Sequence, residues 1–259
     1  MTRIITNFNE KGGVGKTCST LNIGAALSLL GKKVLLIDLD PSRKLTKYCG
    51  VDPETLDKST YHVAIGHARP QDVVVRLPKL DLLPATKDLE AAITDFVLMQ
   101  ERQGVIGELI FKQQLQDFAQ NYDYVIFDTM PTHSKLTDAA LIASTEVFMV
   151  VVPEYFSVDS LADLLQTVQD IQETHNSVLQ ITGAYITKKH GGIGVHTIFS
   201  SHIKKSLGHL LFNTNIRTCS AINDSTGNHK DIFEYNKSCR GAKDYMALAQ
   251  EIVKQEGKV

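Results

Sequence analysis

The segment Lys11-Gly12-Gly13-Val14-Gly15-Lys16-Thr17 constrains this chain more than any other. It follows a short β-branched run, Ile4-Ile5-Thr6, and leads into a stretch from about Lys16 to Leu30 that sets Leu21, Ala25, Ala26 and Leu29 on one face before Gly31. Strand, glycine-rich loop and helix in that order build an anion cradle. Glycines let the backbone approach a phosphate, N–H groups converge at the helix N-terminus, Lys16 supplies a cation, and Thr17 offers a hydroxyl to magnesium. The common G-x-x-x-x-G-K-[ST] pattern needs glycine at position 10, where Glu10 stands, and Lys11 opens the loop instead. A glycine-rich turn that binds nothing is the competing reading. The strand before, the helix after and the Lys-Thr pair speak against it.

The rest of the chain places this loop in an α/β fold. Val34 to Ile37 reads as a fully buried strand ending at Asp38, and Leu82-Leu83, Tyr124 to Phe127, Val147 to Val152 and Ile181 to Ile186 are further strand candidates. Uninterrupted apolar strands alternating with helical patterns predict a single doubly wound, mostly parallel sheet with helices on both faces. A last helix, around Tyr245 to Val253, sets Tyr245, Leu248, Ala249 and Ile252 on a stripe facing the sheet. No repeat, low-complexity tract or linker divides the sequence, so residues 1–259 are expected to form one domain. The longest apolar run, Val147 to Pro153, is far short of the ~20 residues needed to span a bilayer. The N-terminus reaches Asn7, Asn9 and Glu10 before any signal-peptide core could form. Cys18, Cys49, Cys219 and Cys239 show no C-x-x-C spacing and so imply neither a zinc site nor a disulfide framework. These features predict a cytosolic protein.

Three carboxylates fall at strand ends. Asp38 and Asp40 follow the second strand, and Asp128 follows Tyr124 to Phe127. Ligands of open α/β sheets bind beyond the carboxyl ends of the strands, so all three can converge on bound phosphates and a metal. There a carboxylate holds magnesium through its water shell or positions an attacking water; for any one of them, a strand-end cap is the alternative.

Charge is unevenly distributed. The whole chain carries 27 Lys+Arg and 29 Asp+Glu, a net of −2, but residues 1–179 carry −7 and residues 180–259 carry +5. A basic C-terminal third suits a local polyanion-binding face, and ordinary solvated lysines are the alternative. Lys204, Lys205, Arg217 and Lys243 are the leading candidates for contacts to DNA phosphates.

Lys11 to Thr17, taken with Asp38-Leu39-Asp40-Pro41, resembles the deviant Walker A ATPases of the P-loop class, and in particular the ParA/Soj partition ATPases. The resemblance runs through nearly the whole chain. Tyr122-Asp123-Tyr124 to Asp128 looks like the Walker B segment, and Leu82 to Leu89 and Glu154-Tyr155 look like later family segments. Phe233-Glu234-Tyr235, Ser238, Arg240-Gly241-Ala242 and Tyr245 look like the family's ending.

The resemblance implies an ATPase of weak intrinsic rate, stimulated by a partner and using ATP and magnesium. Lys11 would reach across an ATP-sandwich homodimer to the partner's phosphates. Gly12, Gly13, Val14 and Gly15 would wrap the phosphates, Lys16 would bind the β- and γ-phosphates of its own subunit, and Thr17 would bind magnesium. Cys18, where the family usually has threonine, would lie near the α-phosphate as a weaker donor. Asp40 would orient the hydrolytic water, Asp38 would support it and the metal, and Asp128 would meet magnesium through its waters. The implied job is segregation or positioning of plasmid, chromosome or other cargo. It would be carried out in the cytoplasm on nonspecific nucleoid DNA, with a ParB-like centromere-binding or cargo adaptor and no membrane. With no extension before Arg3, the short form without a helix-turn-helix is expected.

Two loops depart from the family. Pro41-Ser42-Arg43-Lys44 stands where Pro-Gln-Gly-Asn is usual, and Met130-Pro131-Thr132-His133-Ser134 stands where two prolines are usual. Both are switch loops that couple nucleotide state to partners. His133 reads either as a proton carrier or as an exposed loop residue. Two further functional readings remain at this stage. A MinD-like membrane switch would need a basic amphipathic C-terminal helix, and Glu251 to Val259 lacks a free apolar face. A metabolic ligase or iron–sulfur relative would need features that the four cysteines and the C-terminal segment do not offer.

Overall fold

Seven strands share one sheet in the order β3-β4-β2-β5-β1-β6-β7. They are β1 (Arg3–Phe8), β2 (Val34–Leu39), β3 (Val75–Arg76), β4 (Asp81–Leu83), β5 (Tyr124–Thr129), β6 (Glu146–Val151) and β7 (Gln180–Ile186). Every pairing is parallel except β3 with β4. The computed structural model describes residues 1–153, 158–189 and 203–257. The Glu154-Tyr155 match lies outside the described residues.

The α-helices are α1 (Lys16–Leu29), α2 (Lys44–Tyr48), α3 (Thr60–Ala64), α4 (Ala91–Gln103), α5 (Gly107–Ala119), α6 (Lys135–Ala143), α7 (Val158–Thr174), α8 (Ser220–Gly227), α9 (Ile232–Asn236) and α10 (Arg240–Lys254); residues 203–207 are also helical. The strands β1, β2, β5 and β6 are buried along almost their whole length, which is why they read as continuous apolar runs. Alternate residues still take opposite sides. Leu36, Leu82, Tyr124, Ile126 and Phe148 pack with α1 and α10, whereas Leu35, Ile37, Leu83, Val125 and Phe127 pack with α3 to α6. The doubly wound, mostly parallel sheet predicted from sequence is the observed fold.

Register positions the carboxylates. Asp38 on β2 is the direct partner of Asp128 on β5, and Asn7 on β1 is the other neighbour of Asp128. Residues paired in parallel register point to the same face, so Asp38 and Asp128 share the α1 side at the carboxyl ends of their strands. Helix α1 approaches β2 closely at Gly24, where a Cβ would stand 2.8 Å from Leu36 Cδ2.

The differences from the sequence reading are at element edges. β3 was not expected: two residues offer no periodicity, and it forms on the sheet edge with Arg76 ion-paired to Asp81 at 2.7 Å across the pair. The last helix begins at Arg240, a turn and a half before the apolar stripe, because Cys239 caps it through Ala242 N–H at 3.4 Å. Beyond β7, residues 211–217 run alongside it, touching at Ala184 with Leu211 and at Lys189 with Arg217.

Candidate nucleotide site

The loop between β1 and α1 is held open by polar side chains at its base. Asn9 is buried; its amide donates to Val150 O at 2.7 Å, and its Oδ1 accepts from Lys11 N–H at 2.7 Å. On the other side, the Thr187 hydroxyl at the end of β7 donates to Val14 O at 2.6 Å. Gly13 and Gly15 take φ of 74° and 94°, left-handed values that a side chain would strain. The result is a backbone concavity whose rim, Lys11 to Gly13, is exposed, while Val14 and Lys16 are buried.

Lys16 is 6% exposed and its ammonium donates to Asn9 O at 2.6 Å. Burial lowers its pKa, and the carboxylates of Asp128, Asp40 and Glu10 oppose that shift. A cation drawn out of water and surrounded by carboxylates is poised to exchange those contacts for phosphate oxygens. Lys11 stands at the exposed rim, its backbone N–H tied to Asn9.

The three strand-end carboxylates have three different environments. Asp38 is fully buried, and its Oδ2 accepts from the Thr46 N–H at 2.8 Å and the Thr46 hydroxyl at 2.6 Å, while its Oδ1 accepts from Asp40 N–H at 3.1 Å. Burial pushes its pKa up to about 6 against the pull of those donors. In this conformation the Asp38 carboxylate holds the Asp40 turn and the start of α2. Asp40 caps that turn, its Oδ1 accepting from Ser42 N–H at 2.8 Å. Arg43 adopts φ 57°, where the resembling family usually carries glycine, and ties itself to Glu54 at 2.6 Å.

Asp128 is 0% exposed and neither carboxylate oxygen has a hydrogen-bond partner. Burial raises its pKa well above the carboxylate range and the Asp38 charge adds to this, while the Thr17 hydroxyl and the Lys16 ammonium pull the other way. An unpartnered buried carboxylate is costly, and it fits a hydrated cation placed between it and a phosphate. Among the described residues, no group of three or more His, Cys, Asp or Glu could hold a metal alone. A magnesium ion here would therefore take its remaining ligands from phosphate and water, with Thr17 and Asp128 as this chain's contribution. Cys18 is half-buried, and burial together with the Asp128 charge pushes its thiol up to about 11, so it stays protonated.

Sequence reasoning did not single out Asn9, Thr46 or Thr187, each one polar residue beside a strand or loop. It did note His133, whose ring stands between Asp138 (Nε2 to Oδ1, 3.2 Å) and Glu10 (Nδ1 to Oε1, 3.7 Å), where the loop after β5 approaches the phosphate loop. The candidate DNA residues lie elsewhere. Lys204, Lys205 and Lys243 are exposed, but Arg217 forms a two-pronged pair with Asp244 at 2.6 and 3.0 Å. That pairing neutralises the arginine locally and weakens its claim relative to the three lysines.

Comparison with known proteins supplies the context for this geometry. The family model described as an AAA domain matches residues 2–181. Over 256 residues the chain is 33% identical to the sporulation initiation inhibitor protein Soj of Bacillus subtilis, covering 97% of this chain and 98% of that protein. It is also 33% identical to the chromosome-partitioning ATPase Soj of Treponema pallidum, covering 100% of both. A solved structure described as cobyrinic acid a,c-diamide synthase from Mycobacterium smegmatis, with bound ADP and magnesium, matches with a TM-score of 0.84 at 28% identity, covering 98% of this chain and 95% of that one.

Proposed function

The chain belongs to the ParA/Soj family of partition ATPases, and from that premise we propose that it binds ATP with magnesium at the β1–α1 loop, dimerises in that state, and then holds DNA without regard to sequence. The observation that carries the nucleotide part is the buried, unpartnered carboxylate of Asp128 beside the desolvated ammonium of Lys16. Both charges are stabilised when a phosphate and its cation enter. Magnesium, when bound, offsets charge on the β- and γ-phosphates. The chain's own residues do the rest: Gly12 to Gly15 present N–H groups, Lys16 binds phosphate oxygens, Thr17 and Asp128 hold the metal's shell, and Asp40 orients water once Ser42 releases its carboxylate. The exposed Lys11 completes the site of a second subunit.

Dimerisation doubles the number of exposed lysines presented to DNA. Affinity that rests on phosphate neutralisation rises with each added contact and falls steeply with salt. Lys204, Lys205 and Lys243 supply such contacts on this reading, and a ParB-like adaptor on the cargo stimulates hydrolysis and releases the dimer. The working location is the nucleoid in the cytoplasm. The membrane-switch alternative lacks support from α10, whose apolar stripe, Ala242, Tyr245, Leu248, Ala249 and Ile252, is buried against α1 and the sheet. Among the described residues no helix is long and apolar enough to cross a membrane.

The test is fluorescence anisotropy with random-sequence duplex DNA, comparing ATP with ADP across a salt series. The expected result is tight binding with ATP only, lost in Lys11→Ala while that variant still binds nucleotide. Equal binding with ATP and ADP would overturn the switch, and ATP-dependent binding to anionic liposomes instead of DNA would transfer the function to a membrane.

A further inference from the structure

The turn after Asp40 is closed from within by three hydrogen bonds. Asp40 Oδ1 accepts from Ser42 N–H at 2.8 Å, Asp40 O accepts from Arg43 N–H at 2.8 Å, and Asp40 N–H donates to Asp38 Oδ1 at 3.1 Å. Arg43 ends this turn and starts α2, its carbonyl accepting from Lys47 N–H at 3.1 Å. Its φ of 57° lies in the left-handed region, which a residue with a side chain enters at a cost that glycine avoids. Its Nε is buried without a hydrogen-bond partner, which is a second cost. The contact that holds the side chain in place is Nη1 to Glu54 Oε1, at 2.6 Å. Glu54 in turn stands on a fixed support. Pro53 is buried, Asp52 Oδ1 accepts from Glu54 N–H at 3.0 Å, and Asp52 O accepts from the Thr55 hydroxyl at 2.8 Å. The ion pair therefore fastens the outer end of the Asp40 turn to the turn at residues 53–55.

We infer that the Arg43–Glu54 pair restrains turnover, with Arg43 as a positioning residue that keeps Asp40 in its capped conformation. The inference rests on the role proposed above for Asp40 in orienting water. Ser42 N–H draws the Asp40 carboxylate back onto its own turn. Directing that carboxylate at an attacking water means remodelling residues 40–43, and Arg43 follows only when its ion pair opens. Strain at a position that another contact over-determines is the way a fold stores a restraint of this kind. Nucleotide binding needs no such motion, because Gly12 to Lys16 form the cradle without the Asp40 turn. The restraint therefore acts on the hydrolytic step and not on affinity. Its size is modest: the Glu54 side chain is 65% exposed and that of Arg43 22%, so water competes for the pair.

The experiment measures steady-state phosphate release across ATP concentrations with magnesium, and affinity for a slowly hydrolysed ATP analogue by calorimetry. The proteins are wild type, Glu54→Gln, Arg43→Gln and the double variant. The expected outcome is a kcat raised about two- to fivefold in each single variant, the range an exposed ion pair supplies, with KM and analogue affinity unchanged. The double variant should rise no further, since both changes open the same pair. In an Asp40→Ala background, Glu54→Gln should give no rise, which ties the effect to that carboxylate. An unchanged or lowered kcat in Glu54→Gln, additive effects in the double variant, or a rise that persists without Asp40 would each overturn the restraint. Loss of turnover in Asp40→Ala beside unchanged turnover in Glu54→Gln would overturn it while leaving the role of Asp40 intact. Unchanged turnover in Asp40→Ala would overturn both.

Discussion

At the amino ends of the strands, Arg3 and Glu146 are buried together; at the carboxyl ends, Asp128 is buried beside Asp38 and Lys16. The first group is saturated. Arg3 Nε and Nη2 donate to the two Glu146 oxygens at 2.6 and 2.5 Å, Nη1 donates to Ile252 O at 2.7 Å, and the Thr182 hydroxyl donates to Glu146 at 2.5 Å. Nearby, Glu256 accepts from the Tyr124 hydroxyl at 2.5 Å and pairs with Lys32 at 2.8 Å. The second group is left open, with both Asp128 oxygens unpartnered. Buried ions that find all their partners within the chain pin the chain, here the C-terminal end of α10 to β1 and β6. Buried ions left incomplete mark where something from outside completes them.

The contrast can be broken at either pole. The largest expected effect is at the closed one: Glu146→Ala should destabilise the fold by about 3–5 kcal/mol by stranding the Arg3 guanidinium, read by urea unfolding. The folded fraction should bind nucleotide with unchanged affinity. Next comes Lys16→Ala, which should weaken nucleotide binding by at least about 100-fold, near 3 kcal/mol, in calorimetry with magnesium present. The free protein should also lose some stability, since the ammonium opposes the buried carboxylates of Asp128 and Asp40 as well as donating to the Asn9 carbonyl. Asp40→Ala should keep nucleotide bound but lower steady-state phosphate release roughly 10- to 100-fold, because it removes water positioning rather than the cradle. Unchanged turnover would reduce Asp40 to the cap of its turn.

The two poles were also unequally legible in the sequence. The phosphate loop could be read because glycine, lysine and threonine at fixed spacing are required by one chemistry, and because the strand before and helix after carry their own periodic signals. Asp38 and Asp128 could be placed at strand ends, but not told apart. What separates them is Thr46 on α2, whose N–H and hydroxyl both donate to the Asp38 carboxylate, and nothing in a strand pattern announces it. Asn9 and Thr187 were missed for a related reason: their partners are distant in sequence, Asn9 meeting Val150 across 141 positions and Thr187 meeting Val14 across 173. Glu146 drew no notice in the sequence, since its partner Arg3 lies 143 residues away. Arg217 shows the same gap in reverse, its charge being evident and its partner Asp244 hidden until α10 folds against it. Local chemistry was legible, and pairings made by tertiary contact were not.

The account's central claim is that Asp128 is kept unpartnered for a ligand, and Asp128→Asn tests it most directly. Melting temperatures are measured for wild-type and variant, each alone and with a magnesium–nucleotide complex of a slowly hydrolysed ATP analogue. Replacing a buried, unpaired carboxylate with a neutral amide should raise the stability of the free protein by about 1 kcal/mol or more. The same change should cut the gain on adding nucleotide with magnesium, because the group that meets the metal's waters has lost its charge. A variant that is more stable when free and less stabilised by ligand is the predicted result. A variant destabilised when free, or stabilised by magnesium–nucleotide as much as the wild type, would contradict the account.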